Sequence, residues 1–340
     1  MKVIFRVDAS IQTGSGHLMR CLTLAQALDQ QGFDCGFICQ DLPGHLTALV
    51  QAQGFKVQLL APDTDETTDA ERCLAFLVEA VDLLVVDHYR LGESYTSRMR
   101  AKARQIMVID DLANRKHDAD LLLDQNLLPD SSERYSALVS SDCRQLLGPE
   151  YALLRPEFYQ AGSAERSRLL VNFGGTDPDN LTLMALDALE TLKPLSIAAD
   201  IVVGQAYPQA ELVRQRCAKE PLWQFHQQCD YMAKLMQSAK IMLGAGGSTH
   251  WERCYSSLPA LVITVAENQR LTTRFLHSLG ACIWLGDAVS QTKELLARAI
   301  MDSWNNKALL HQMASQANAL VPRDAGTPAV VRAITELMRS

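Results

Sequence analysis

Short, almost uninterrupted apolar runs alternate with amphipathic stretches along most of the sequence, and this alternation constrains the fold more than any other feature. Runs such as "KVIFRVD" (2–8) and "DLLVVDHY" (82–89) have the length and β-branched content of strands that are buried on both faces. The stretches between such runs, for example 17–32, have the apolar period of helices. Buried strands separated by helices predict parallel sheets covered on both sides, so we assign the chain to the doubly wound α/β class.

A segment with two prolines, followed by polar residues, interrupts this alternation near the middle of the chain. With 340 residues the chain is longer than one ordinary core requires, which favours two domains. We predict a Rossmann-like domain over 1–150, a linker over 151–167, a second Rossmann-like domain over 168–322, and a helix in 323–340 that crosses back to the first domain. Two such domains in series predict a ligand site in a cleft between the carboxyl ends of their sheets.

The composition argues against several classes of protein. A formal net charge of −7 leaves no basic stripe that could neutralise the phosphates of a nucleic acid. No apolar run reaches the roughly 18 residues of a membrane-spanning helix, and the first residues are too polar for a signal peptide. The nine cysteines are scattered without a CxxC pair, so we expect reduced, mostly buried thiols in a cytoplasmic protein and no metal site.

Three glycine-rich turns each follow a predicted strand and open a predicted helix: "TGSGH" (13–17), "FGGTD" (173–177) and "GAGGST" (244–249). Glycine lets backbone amides approach an anion, and a helix N-terminus adds unpaired N–H groups. None of the turns has the Gly-Lys-Ser/Thr of an ATP-binding loop or the third glycine of a dinucleotide-binding loop. Together they favour a nucleotide-sugar over ATP or NAD, with no cofactor, although each turn alone is equally consistent with a tight turn that binds nothing.

The second and third glycine turns and their surroundings supply the candidate nucleotide-binding residues. Glu252 follows Ser248 by four residues, where its carboxylate could accept both ribose hydroxyls or simply interact with the helix dipole. A pocket for the base of the nucleotide is expected near "CDYMAKLM" (229–236). The predicted set is Gly174, Gly175, Thr176, Met232, Gly246, Gly247, Ser248, Thr249 and Glu252.

His17 is predicted to lie in the first turn of a helix, directly after two glycines. The positive end of the helix dipole disfavours a second positive charge, so we expect a neutral imidazole, which is what a general base requires. Asp8, at the end of the first strand, is the candidate acceptor for the other ring nitrogen. Further aspartates end strands at the same edge, beside Tyr89: Asp87, Asp110 and Asp111. A hydrogen-bonded structural histidine is the alternative.

Asn268 and Gln269 follow another predicted strand and open another helix. They could bind the hydroxyls and amides of a sugar or merely cap that helix, and the residues alone leave both possibilities open. His17 is the candidate catalytic residue, with the structural alternative still open at this point. The predicted substrate-binding residues are Asp8, Gly14, Gly16, Tyr89, Arg155, Asn268 and Gln269.

Several motifs together resemble one family of enzymes. They are, in order, "FRVDASIQTGSGHLMRCLTLAQAL", "LLVVDHY", "YALLRPEFY", "NFGGTDPDNLT" and "ENQ". Their combination resembles the UDP-2,4-diacetamido-2,4,6-trideoxy-β-L-altropyranose hydrolases of pseudaminic acid biosynthesis. This resemblance implies a GT-B-like fold, similar to that of the N-acetylglucosaminyltransferase that completes the lipid precursor of peptidoglycan.

The resemblance also implies a reaction: hydrolysis of a UDP-sugar at its anomeric carbon without a metal. It places the family's catalytic histidine on His17 and its tyrosine on Tyr89. It places the ribose-binding glutamate on Glu252 and the sugar-contacting asparagine on Asn268. We therefore expect His17 to activate water for attack with inversion, so that the UDP-sugar and water are the only partners. A UDP-sugar-dependent GT-B glycosyltransferase and a non-catalytic nucleotide-sugar-binding protein remain the alternatives.

Overall fold

The structure, a computed structural model, describes residues 1–10, 14–62, 65–160, 162 and 164–339. Thr13 of the first glycine turn and two residues of the predicted linker, Ala161 and Ser163, lie outside the described residues. The chain divides into two compact units, of which the first comprises Met1–Arg155 together with Asp324–Ser340 and the second comprises Pro156–Arg323. Each unit is built on one parallel sheet.

The first unit has a seven-stranded sheet in the order β3-β2-β1-β4-β5-β6-β7. All neighbouring pairs are parallel. The order reverses between β1 and β4, and ligands of doubly wound sheets bind beyond the carboxyl ends of the strands at this switch point. The strands are β1 Lys2–Val7, β2 Asp34–Gln40, β3 Lys56–Leu60, β4 Val81–Asp87, β5 Ala103–Ile109, β6 Leu121–Asp124 and β7 Arg144–Leu147.

Helices cover both faces of this sheet, and the alternation of side chains along β1 determines which residues each face receives. Val3, Phe5 and Val7 point into the core that contains the apolar residues of the first helix. Ile4 joins the core on the opposite face. The helices between the strands are α1 Gly16–Asp29, α2 Thr47–Ala52, α3 Glu66–Phe76 and α4 Glu93–Met99.

The second unit has a six-stranded parallel sheet in the order β10-β9-β8-β11-β12-β13. Its switch point lies between β8 and β11, and each of these two strands runs into one of the glycine turns. The strands are β8 Arg168–Asn172, β9 Ala199–Val203, β10 Trp223–Gln227, β11 Ala239–Ala245, β12 Ala260–Thr264 and β13 Ile283–Asp287. The helices are α5 Leu181–Thr191, α6 Ala210–Ala218, α7 Met232–Ser238, α8 Thr249–Tyr255, α9 Glu267–Ser278, α10 Lys293–Trp304 and α11 Lys307–Leu320. The last helix of the chain, α12 Thr327–Leu337, packs in the core of the first unit beside α1.

The predicted doubly wound α/β class is confirmed for both units. Strand β7 was not expected, because "RQLL" is half polar and only one of its residues, Leu146, is fully buried. The expected helix over 43–54 is shorter and occupies Thr47–Ala52. All nine cysteines are free, and eight of them are buried. Among the described residues, the helices are too short or too polar to cross a bilayer.

Candidate active site

The switch point of the first sheet brings together the turn after β1 and the end of β4. Gly14 has a φ of +73°, which favours glycine, and its N–H donates to the carbonyl of Ser10 at 2.9 Å. Helix α1 then begins at Gly16, so His17 lies in its first turn. The backbone therefore places His17 where the sequence predicts it, in the first turn of a helix.

Nδ1 of His17 lies 2.6 Å from Oδ1 of Asp87, the last residue of β4. Burial alone would raise the pKa of Asp87, but the charges of Arg20 and His17, and their hydrogen bonds, hold it well below its usual range. An ionised carboxylate has no hydrogen to donate, so Nδ1 of His17 carries the hydrogen and donates it. In the neutral ring Nε2 is then the proton acceptor, as a general base requires.

Arg20 binds the same carboxylate from the next turn of α1. Its Nε donates to Oδ2 of Asp87 and its Nη2 to Oδ1, both at 2.6 Å, in the paired geometry that makes such contacts strong. Its Nη1 donates to Oδ2 of Asp111 at 3.1 Å. Arg20 is not among the predicted site residues, although two features of the sequence point to it. It follows His17 by three residues, which places both on one helix face, and it is a charged residue in an otherwise apolar stretch.

Tyr89 packs against the other side of the imidazole. The two rings meet edge to face, with centroids 4.5 Å apart and an interplanar angle of 88°. The Tyr89 hydroxyl lies 3.5 Å from Oδ2 of Asp111. Burial, followed by the charge of Asp111, raises the pKa of Tyr89 well above its usual range, so the phenol keeps its hydrogen and can donate it.

Asp8 does not orient His17, and that expectation is wrong. In the parallel pair of β1 and β4, Val7 is the partner of Asp87, so these two residues point to the same face and Asp8 points to the other. There the carboxylate of Asp8 pairs with Arg6 at 2.6 Å and with Nε2 of His88 at 3.1 Å.

Asp110 also lies apart from His17. Its carboxylate accepts hydrogen bonds from the backbone of Ala113 at 2.8 Å and from the hydroxyl of Tyr135 at 3.1 Å, and it pairs with Arg115 at 3.0 Å. Of the aspartates at this edge, Asp87 and Asp111 join the cluster around His17. The groups that form this cluster are His17, Arg20, Asp87, Tyr89 and Asp111.

The glycine turn after β11 is shaped by packing. A Cβ on Gly246 would lie 3.0 Å from the Thr273 hydroxyl and 3.1 Å from the His250 ring, and Gly247 has a φ of +94°. Both positions therefore favour glycine whether or not the turn binds an anion. Ser248 and Thr249 follow, and α8 begins at Thr249.

His250 is a buried structural histidine. Its Nδ1 accepts hydrogen bonds from Nε and Nη2 of Arg253 at 3.3 Å and 3.2 Å, so its hydrogen is on Nε2, which donates to Oγ1 of Thr273 at 2.9 Å. Burial, with the charge of Arg253, holds the pKa of His250 well below its usual range. Both ring nitrogens are engaged within the fold, which leaves this histidine no role as a base.

Gln269 is hydrogen-bonded to the backbone that leads into α9. Its Oε1 accepts a hydrogen bond from the backbone N–H of Val265 at 3.1 Å, just before α9. The side chain also lies against the glycine turn, since its Cβ would be 3.3 Å from a Cβ placed on Gly246. Asn268 is exposed in the first turn of the same helix.

The glycine turn after β8 is also constrained by packing. Gly174 has a φ of +89°, and a Cβ on Gly204 would lie 2.1 Å from the carbonyl oxygen of Gly175. Beyond Thr176, the buried carboxylate of Asp177 accepts hydrogen bonds from the first amides of α5, those of Leu181 at 3.0 Å and Thr182 at 2.8 Å. These two amides are thus committed to a cap and not to a ligand.

The remaining predicted residues lie in different places. Glu252 is half-buried in the first turn of α8, and Met232 is buried as the first residue of α7. Arg155 is half-buried and is the last residue of the first segment of unit one. Among the residues that the structure describes, no group of three or more His, Cys, Asp or Glu side chains could hold a metal ion.

Comparisons with known proteins support the fold class that the two sheets show. Residues 170–325 match the family model described as "Glycosyltransferase family 28 C-terminal domain". In overall fold the chain is similar to the crystal structure of MurG from Acinetobacter baumannii, with a TM-score of 0.67 and 18% sequence identity over 98% of this chain and 99% of that one. The GT-B-like fold that the resemblance implies is therefore confirmed.

Two curated relatives match along most of their length. The UDP-2,4-diacetamido-2,4,6-trideoxy-beta-L-altropyranose hydrolase of Campylobacter jejuni is 27% identical over 283 residues, which is 82% of this chain and 97% of the relative. The spore coat polysaccharide biosynthesis protein SpsG of Bacillus subtilis is 26% identical over 325 residues, 92% of each chain. The resemblance to the hydrolase family that the motifs indicate is confirmed by the first of these similarities.

Proposed function

We propose that this protein hydrolyses UDP-2,4-diacetamido-2,4,6-trideoxy-β-L-altropyranose, or a close stereoisomer, at the anomeric carbon and releases UDP and the free sugar. The similarity to the curated hydrolase supports this substrate class. The observation that carries the reaction type is the 2.6 Å contact between Nδ1 of His17 and Asp87. It leaves Nε2 as the proton acceptor of a histidine that is 11% exposed beside a buried carboxylate.

The proposed step is a single displacement. Nε2 of His17 takes a proton from water while the water oxygen forms a bond to C1 of the sugar. The bond between C1 and the diphosphate oxygen breaks, and its electron pair leaves with UDP. Because water attacks the face opposite to UDP, the configuration at C1 inverts. The imidazolium that forms is stabilised by Asp87, whose charge is already present before the reaction.

The second unit binds the nucleotide in this proposal. The backbone amides of residues 246–249 would hold the diphosphate, and the carboxylate of Glu252 would accept hydrogen bonds from the ribose. Thr176, Met232, Asn268 and Gln269 complete the proposed contacts to UDP and sugar. Gln269 is suited to this role because its Oε1 is bonded to Val265, which leaves its amide group fixed beside the glycine turn.

In the first unit, Tyr89 is the proposed partner of the sugar. Its phenol keeps its hydrogen, so it can donate to an acetamido carbonyl or to a hydroxyl near the anomeric carbon. Gly14 and Gly16 would let the sugar approach the turn, since a Cβ at either position would meet no heavy atom of the residues that the structure describes within 4 Å. Arg155 and Asp8 are proposed to support the substrate less directly.

A UDP-sugar-dependent glycosyltransferase is the second candidate, favoured by the glycosyltransferase family model and the MurG-like fold. The same base would activate a sugar hydroxyl as readily as water. The two activities differ in their need for an acceptor, which makes them separable.

Purified full-length protein should be incubated with the UDP-sugar alone and followed by proton NMR. The proposal predicts steady release of UDP and a free sugar that first appears with inverted anomeric configuration. No turnover until an acceptor is added would favour the transferase. UDP-sugar binding with no turnover at any pH would favour a binding protein.

His17→Asn tests the base in the same assay. It should lower kcat by about 10²–10⁴-fold, because asparagine cannot take the proton, and should leave UDP affinity within twofold. His311→Asn is the matched control, since His311 is an exposed residue of α11 outside the proposed site. More than a tenth of the wild-type rate in His17→Asn would rule out this role.

A further inference from the structure

The chain contains the pattern His-x-x-Arg at the start of two helices, "HLMR" in α1 and "HWER" in α8. In α8 the hydrogen-bond partners of the His250 ring are Thr273 and Arg253, with no carboxylate among the described residues. Arg253 therefore donates to Nδ1 of His250, and the hydrogen of that imidazole is on Nε2. Without a carboxylate beside it, the His-x-x-Arg pattern adopts this tautomer. Nδ1 is then occupied by the arginine and Nε2 carries the hydrogen, so neither nitrogen can serve as a base.

In α1 the same spacing brings Nη2 of Arg20 to 3.1 Å from Nδ1 of His17. A guanidinium can only donate, so this contact and the 2.6 Å contact of Nδ1 to Asp87 cannot both be hydrogen bonds. The shorter contact to an anion prevails, and all the good hydrogen bonds of Arg20 go to carboxylates. The difference between the two helices is thus Asp87.

We propose that Arg20 is a positioning residue for the hydrolysis, because it clamps Asp87 against Nδ1 of His17 and so assigns the base to Nε2. This inference rests on the proposed function.

The charged and titratable groups that face His17 define what happens when Arg20 is removed. Asp87 at the end of β4, Arg20 on α1 and Tyr89 after β4 contact the ring, and Asp111 after β5 contacts Arg20 and Tyr89. Among these groups Arg20 carries the positive charge. Without it, the carboxylate of Asp87 loses the guanidinium that shares it with the ring, and the protonated form of His17 becomes more favourable. The base would then be protonated, and inactive, at pH values where the wild type is active.

The test is the pH dependence of kcat/KM for wild type, Arg20→Gln and Arg20→Lys. Arg20→Gln should lose activity about 10–100-fold at pH 7, with the acid limb of its pH–rate profile moved to higher pH, so that part of the rate returns in alkaline buffer. Arg20→Lys keeps the charge but not the paired geometry. Its acid limb should stay near that of the wild type while kcat falls. A merely structural role would lower the rate equally at all pH values.

A second readout does not need turnover. Full-length protein labelled with 15N-histidine reports by NMR which ring nitrogen carries hydrogen, and His17→Asn identifies the His17 signals. In the wild type the hydrogen should be on Nδ1. In Asp87→Asn it should move to Nε2, because Arg20 or the new amide then donates to Nδ1, as Arg253 does in α8. If circular dichroism shows that Arg20→Gln does not fold, Asp87→Asn still tests whether the groups at Nδ1 set the tautomer of His17.

The proposal is overturned if Arg20→Gln keeps both the wild-type acid limb and the wild-type tautomer, or if Asp87→Asn leaves the hydrogen on Nδ1. These results are distinct from failure of the proposed function. If the wild type releases no UDP, the function fails, and the NMR experiment still decides whether Asp87 and Arg20 set the tautomer.

Discussion

The switch points of the two sheets have the same topology and different chemistry. In the first unit, the strands that flank the switch point run into Asp8 and Asp87, and ion pairs to Arg6 and Arg20 fill the edge. In the second unit, the flanking strands β8 and β11 run into glycine turns, and the buried Asn172 ends β8 where the first sheet has charges.

This difference fits the separate roles that we propose for the two units, proton transfer in the first and nucleotide binding in the second. Carboxylates orient an imidazole and stabilise its protonated form, but they would repel a diphosphate. Glycine amides can bind a diphosphate, but they cannot take a proton. The proposed reaction needs both chemistries, and each sheet edge suits one of them. The predictions below test this separation.

Asp87→Asn should have the largest effect on activity. This effect should be on the catalytic step, which we assign to the first unit, and not on nucleotide binding. With the wrong ring nitrogen protonated, kcat should fall by about 10²–10⁴-fold. The affinity for UDP, measured by titration calorimetry, should stay within twofold, because the second unit is proposed to bind the nucleotide. A parallel loss of UDP affinity would contradict the separation of the two edges.

Acid should destabilise the first unit through His117, in the loop after β5. This side chain is 2% exposed, and its ring nitrogens have no hydrogen-bond partner within the described part of the chain. Burial lowers its pKa from 6.5 to about 4; the charge of Asp110 raises the pKa and the charge of Arg115 lowers it, both by less than burial does. Between these values the unfolded chain binds the extra proton, so stability falls as the pH falls through this window.

The expected loss between pH 7 and pH 5 is about 2 kcal/mol from this residue. The free energy of unfolding of His117→Leu should be measured with urea at both pH values. The difference between pH 7 and pH 5 should be smaller than in the wild type by that amount, because the cost of repacking is the same at both pH values. His311→Gln, at an exposed histidine, is the control. An unchanged pH dependence in His117→Leu would show that the buried ring is not the acid-sensitive group.

Gly247→Ala should lower the affinity of the second unit for UDP without changing the pH dependence of catalysis in the first unit. The φ of +94° makes alanine strained by about 1–2 kcal/mol, so the turn shifts and UDP affinity should fall about tenfold. The acid limb of the pH–rate profile should not move. A shifted limb would mean that the glycine turn affects His17 as well as the nucleotide.

Asp177→Ala should have the smallest effect, about 1 kcal/mol of stability, because it removes the cap of α5. Thr292→Ala, which removes the longer 3.3 Å cap of α10, is the matched control and should cost less. The two can be ranked by their urea midpoints. If the order is reversed, the carboxylate of Asp177 is not acting mainly as a cap.

Much of the fold could be predicted because its signal is local. The buried strands of both sheets are nearly continuous apolar runs, and the expected strands lie close to the observed ones. Strand β7 has two polar residues out of four, so its signal is too weak to separate from a loop. The position of His17 also follows from local sequence, since the strand, the glycines and the helix are contiguous.

The partner of His17 could not be read from the sequence in the same way. Asp8 and Asp87 both follow apolar strands, and the choice between them depends on which face α1 covers. Alternation along β1 sends Val7 toward α1 and Asp8 away from it, while the pairing of Val7 with Asp87 directs Asp87 toward the helix. Strand pairing is a contact between residues 80 positions apart, which no short motif records.

The sequence by itself determined the α/β class, the glycine turns and the place of a histidine at the start of α1, because each depends on residues that are neighbours in the chain. The tertiary structure decided which nitrogen of that histidine can accept a proton. It also decided that an equally spaced His-x-x-Arg in α8 is structural. The physical reason is that a tautomer is set by the groups that surround the ring. The sheet brings Asp87 to His17, whereas in the described part of the chain His250 is bonded to Arg253 and Thr273 and to no carboxylate.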